Sequence, residues 1–197
     1  MILIDNEVYA PDILLNSILV FFPIFIGFIL FISWKLVKKQ NINWLKIILF
    51  ALFLIYLYKL SDYTIFPISI INNTIIENSS SYGTGYMFEK NPFKLLSTFT
   101  YYSAYNVFGN ILLLVPYGFF LPLLFKSINN LKHILVASFI FSLFIETTQL
   151  LLNYFYLGNR TFDIMDLIAN VLGGMIGFYL FKICNKLFKL ENLIEIK

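Results

Sequence analysis

The sequence predicts an all-α fold, an integral membrane helical bundle of about five transmembrane helices, and three observations carry that prediction. Of the 197 residues, 59% are hydrophobic and the mean hydropathy is +0.80, whereas an ordinary soluble domain is roughly 45–50% apolar. The apolar residues fall in long uncharged runs instead of amphipathic stripes, so lipid is the expected solvent. Thirteen of the fourteen basic residues are Lys, and most flank those runs, where interface anchors and topology signals belong. The net charge of +3 therefore points to the bilayer as partner and not to a nucleic acid.

Each element follows in order. The start, MILIDNEVYAPD, carries acids where a cleavable signal would carry Lys or Arg, so the first apolar run is expected to stay in the mature protein. That run, about 13–34, ends in Lys35, Lys38 and Lys39 and is long enough to cross the hydrocarbon core. A second span begins after Lys46 and continues past Lys59 and Asp62, whose i, i+3 spacing predicts an ion pair. Residues 67–105 form the long polar loop, with NNTIIENSSSYGTG as its turn-rich centre. Within it, NPFKLLSTFTYY (91–102) fits a short amphipathic interfacial helix or an ordinary loop anchor. Three more spans follow, about 106–125 with Pro116 and Pro122 inside it, 134–152 and 166–184. The chain divides into 1–66, two helices with a Lys-rich loop; 67–105, the long loop; and 106–197, a three-helix core and tail. The lone Cys184 excludes an intrachain disulfide.

Orientation comes from the Lys asymmetry. Lys35, Lys38, Lys39 and Lys46, then Lys126 and Lys132, then Lys182, Lys186, Lys189 and Lys197 lie on one side, which is expected to be cytoplasmic. The N-terminus is then outside and the C-terminus inside.

Polar residues interrupt the last three spans at helical spacing. Asn106, Gly109 and Asn110 share one face of the third; Glu146, Gln149 and Asn153 share one face of the fourth. Asp163, Asp166, Asn170, Gly173 and Gly177 make one stripe at the start of the fifth. A carboxylate inside an apolar span costs at least a few kcal/mol unless it is paired, protonated or solvated, so Glu146 is expected to face the bundle interior. Arg160, the only Arg, offers a fork of donors that pairs carboxylate or phosphate bidentately. The alternative is structural: packing bonds from Glu146 to Gln149, Asn110 or Arg160, amides bonded across helices, and Arg160 as an interface anchor beside Asp163. With the orientation above, all three stripes fall at similar depth in the outer half of the membrane. Glu146, Asp163 and Asp166 are the candidate catalytic groups, and Asn106, Asn110, Gln149, Arg160 and Asn170 the candidate binding groups. Gly109, Gly173 and Gly177 are the candidate helix-packing positions. No metal-ligand spacing or cofactor motif stands out, a divalent ion would need several oxygen ligands to converge, the cofactor is left open, and His133 belongs at the opposite end.

These residues also carry a resemblance. NVFGNILLLVPYGFFLPLLF, SLFIETTQLLL and GNRTFDIMDLIANVLGGMIGFYLF resemble, in order, the three linked segments of the VanZ-like family of bacterial membrane proteins, over about residues 90–184. The first two spans resemble that family only in being apolar, and Asn159 stands where its pattern has Gly before Arg160. The resemblance implies a multi-pass protein of the bacterial cytoplasmic membrane and a setting in resistance to teicoplanin, a lipid-bearing glycopeptide. The expected partners are the bilayer and a lipid-linked envelope precursor or lipoglycopeptide. Three functions fit: a binder of an amphiphile at an outer-leaflet polar site; an intramembrane carboxylate-dependent hydrolase or transferase; and a structural membrane subunit. No GxSxG, HExxH or P-loop pattern supports the second beyond its carboxylates. An open cavity at Glu146 and Arg160 separates the first two from the third.

Overall fold

A computed structural model describes residues 2–4, 7–77, 88–89 and 101–190. Among them are five helices long and apolar enough to cross a membrane: α1 (Ile18–Val37), α2 (Trp44–Thr64), α4 (Tyr101–Leu124), α5 (Leu131–Tyr154) and α6 (Ile164–Phe188). The short α3 (Asn73–Glu77) occupies part of the turn-rich loop centre. Residues 91–100 of the segment expected to be an interfacial helix or a loop anchor fall outside the described residues.

Local chemistry sets the helix starts. Asn43, Asn130 and Asp163 each accept a hydrogen bond from a backbone N–H of the first turn that follows, at Lys46, His133 and Met165. Lys59 pairs with Asp62 at 3.5 Å, and Asp62 also accepts from the Ser17 hydroxyl, which ties α2 to the start of α1.

The first span begins later than expected. Residues Ile13–Leu15 form strand β3, antiparallel to β4 (Ile68–Ile70), and helix starts only at Ile18. Strands β1 (Ile2–Ile4) and β2 (Glu7–Tyr9) form a hairpin, and β5 (Phe88–Glu89) pairs in parallel with β6 (Phe162–Asp163). These strands are too short to register in a hydropathy pattern read over twenty-residue windows. They gather at one end of the bundle, where Leu3 N–H donates to Asn159 and Ser69 N–H to the Leu157 carbonyl.

Helices α4 and α6 pack backbone to backbone. An added Cβ would lie 1.9 Å from Gly174 O at Gly118, 2.0 Å from Ile111 O at Gly173, and 2.0 Å from Val115 O at Gly177. Glycine is required at such a crossing because no side chain fits between the two chains. Gly174 turns to α5 instead, where a Cβ would meet the Ser138 hydroxyl at 2.0 Å. Phe53, Leu121, Ile134, Phe178 and Phe181 fill the space toward the Lys-rich end of the bundle. Helix α1 buries no residue at all and touches α2 through Phe21, Phe25 and Tyr58 and through Phe28 and Phe50.

Candidate functional site

The inward face of α5 is its polar one. Ser138, Ser142, Ile145, Glu146, Gln149 and Asn153 are all buried, while Phe139, Ile140, Leu143 and Phe144 are exposed. That inverts a soluble amphipathic helix, and it is the arrangement lipid favours, because apolar surface costs nothing outside and polar groups need partners inside.

The inward polar groups are held by neighbours, except the Ser138 hydroxyl, which has no partner among the described residues. Glu146, 2% exposed, accepts a 3.0 Å hydrogen bond at Oε2 from the Asp163 backbone N–H. Gln149 Nε2 donates to the Thr64 carbonyl of α2 at 2.7 Å. Asn153 Nδ2 donates to the Arg160 carbonyl at 2.9 Å and so fixes the turn between α5 and α6. Asn170 Nδ2 donates to the Ser142 hydroxyl at 3.0 Å, and its Oδ1 has no protein partner among the described residues. The Asn110 side chain hydrogen-bonds Asp166, joining α4 to α6. Arg160 acts electrostatically on both Glu146 and Asp166.

These groups border a cavity of about 430 Å³. Glu146, Gln149 and Asn170 are its buried floor, Asn110 and Asp166 its half-buried wall, and Tyr105, Asn106, Asn159 and Arg160 its exposed rim. It lies at the bundle end that gathers the strands, opposite the end that carries Lys35, Lys38, Lys39 and Lys46. A second cavity of about 260 Å³ adjoins it and shares Thr64, Gln149, Asn159 and Arg160 as walls.

The VanZ/LLP1 family model matches residues 50–185, more than half of the chain. The chain belongs to the VanZ/LLP1 family. The match begins inside α2, so the second span is part of the family region that the sequence resemblance placed only from about residue 90. No curated protein and no solved structure matches the chain.

For this VanZ/LLP1 chain the cavity gathers Asn106, Gly109, Asn110, Glu146, Gln149, Arg160, Asp166 and Asn170. Asp163 and Gly109 are placed differently from the others. Asp163 is not in the cavity wall; its Oδ1 caps α6 through the Met165 N–H at 2.8 Å and its own N–H holds Glu146. Its carboxylate also acts electrostatically on both Glu146 and Asp166. At Gly109 an added Cβ would meet no atom of the described residues within 4 Å, and the residue lines the cavity.

Other residues went unnoticed in the sequence. Ser138 and Ser142 extend the Glu146 stripe by steps of four, and that spacing is the signal that could have found them. Gly118 and Gly174 build the helix crossing beside the predicted glycines. Tyr63 and Thr64 of α2, Tyr105 and Thr161 complete the cavity, and nothing in their spacing announces it. Among the described residues no three His, Cys, Asp or Glu side chains converge as a metal site.

Proposed function

We propose that the protein is an envelope membrane protein that binds an amphiphilic or lipid-linked molecule in this cavity and thereby lowers susceptibility to teicoplanin-type antibiotics. One observation carries the proposal: an open polar cavity of about 430 Å³ stands where a structural subunit would have sealed packing. Its floor and wall are rich in acceptors, namely Glu146, Asp166 and the unpartnered Asn170 Oδ1. A head group bearing hydroxyls or an ammonium would satisfy them, since an unmet buried acceptor costs about 1–3 kcal/mol. Arg160 at the rim suits an anionic part of the same ligand. The strand end of the bundle is the extracytoplasmic one in this reading, with the N-terminus outside, the C-terminus inside and the protein in the bacterial cytoplasmic membrane. The three-helix part, 106–197, supplies most of the site, and the segment 1–66 flanks it through α2.

The test is growth in teicoplanin. Cells making the wild-type protein are expected to tolerate more drug than cells making Glu146→Gln or Arg160→Lys at equal membrane abundance. Equal tolerance in all three would place the function elsewhere. A second reading, carboxylate-dependent hydrolysis or transfer on a lipid-linked envelope substrate, is favoured by Glu146 and Asp166 sharing the cavity. Product formation from such a substrate by the purified protein distinguishes catalysis from binding.

A further inference from the structure

The opposite end of the molecule holds a cavity that the proposed site does not use. It measures about 380 Å³ and lies between the C-terminal half of α1, the 38–43 connection and the start of α2. Phe28, Phe31 and Phe50 give it an apolar floor, and the Phe28 and Phe50 rings meet across the helix pair at 5.6 Å between centroids. Lys35 of α1 and Lys46 of α2 both line it, so separate helices bring two positive charges to one cavity. Lys35 Nζ lies 5.0 Å from the Phe31 ring centroid, which holds the side chain along the wall. Neither Lys has an acidic partner among the described residues, where the ion pair is Lys59 with Asp62. The sequence explains why: no Asp or Glu occurs between Asp12 and Asp62. Helix α1 also lies outside the family region, so all of this cavity's lining except Phe50 is outside the matched residues.

We infer that this cavity binds an anionic phospholipid, with its phosphate between Lys35 and Lys46 and the upper part of an acyl chain against the three Phe rings. The charge excess calls for an anion, and the aromatic floor calls for an apolar tail. Lipid meets both needs, whereas a free phosphate meets only the first. The bilayer supplies that ligand at the end of the bundle where a Lys-rich helix boundary sits. Because these residues are remote from Glu146 and Arg160, the inference stands or falls apart from the proposed function.

Native mass spectrometry of the purified protein reads the result. Detergent-solubilised protein is titrated with dioleoylphosphatidylglycerol, and in parallel with dioleoylphosphatidylcholine. The wild type is expected to retain one phosphatidylglycerol, to bind phosphatidylcholine more weakly, and to keep its lipid in excess inorganic phosphate. The double variant Lys35→Gln/Lys46→Gln is expected to bind phosphatidylglycerol about tenfold or more weakly, since each basic residue near anionic lipid contributes about 1 kcal/mol. Lys38→Gln/Lys39→Gln removes the same charge from residues that do not line the cavity and is expected to bind as the wild type does. Equal loss in both double variants would mean diffuse surface attraction and overturn the inference. So would unchanged binding in Lys35→Gln/Lys46→Gln, equal affinity for the two lipids, or displacement by phosphate.

Discussion

Helices α1 and α6 are both membrane spans, and they are built on opposite rules. The most apolar span, α1, has a mean hydropathy of 2.3 and buries no residue. The least apolar, α6, has a mean hydropathy of 1.7 and buries Ala169, Asn170, Gly173, Gly174, Gly177, Phe178 and Phe181. In water the more hydrophobic helix would be the inner one. In lipid, facing outward costs an apolar side chain nothing, so small and polar residues mark the interior. The family boundary agrees, because the matched region contains α6 and leaves out α1.

The largest expected effect contrasts a glycine in each helix. Gly177→Leu places a side chain against the Val115 carbonyl and the Phe119 backbone nitrogen, neither of which can yield. It is expected to destabilise the protein by about 3 kcal/mol or more. Gly27→Leu in α1 meets nothing within 4 Å and is expected to stay within about 0.5 kcal/mol of the wild type. Unfolding titrations of the monomer in mixed micelles measure both. Equal losses would break the comparison. A Gly177→Leu effect confined to a dimer would move that glycine to the lipid face.

Next in size is Asn153→Ala. It removes the donor to the Arg160 carbonyl and is expected to cost about 1–3 kcal/mol, as for other unmet buried hydrogen bonds. Protease cleavage within 155–163 should quicken in step. A stability loss without quicker cleavage would mean that Asn153 does not hold this turn.

The smallest effect belongs to α1. Phe25→Ala deletes one of the two rings packed on Tyr58 and is expected to cost about 0.5–1.5 kcal/mol, as for an aromatic pair. A loss as large as that of Gly177→Leu would make α1 a core helix despite its exposure.

How much the sequence revealed follows from the same contrast. Hydropathy alone marks five spans, because twenty apolar residues in a row have no other use in this chain. The polar face of α5 was legible because Glu146, Gln149 and Asn153 repeat at three and four. The cavity gathers the Asn110, Glu146 and Asn170 stripes as their shared depth predicts. The role of Asp163 was not legible, since a carboxylate that caps a helix and one that lines a cavity look alike until the backbone turns. The short strands were hidden for a related reason. Ile13–Leu15 continues an apolar run without a break, and only its pairing with Ile68–Ile70 shows that the helix has not begun.

Cysteine labelling in intact cells tests directly the proposal that the polar cavity opens outside the cell. In a Cys184→Ser background, single cysteines replace Asn106 at the cavity rim, Asn110 in its wall, and Lys39 at the other end of the bundle. A membrane-impermeant maleimide is expected to label Asn106→Cys and Asn110→Cys without permeabilisation and Lys39→Cys only after it. Labelling of Lys39→Cys alone in intact cells would turn the cavity to the cytoplasm and contradict the account.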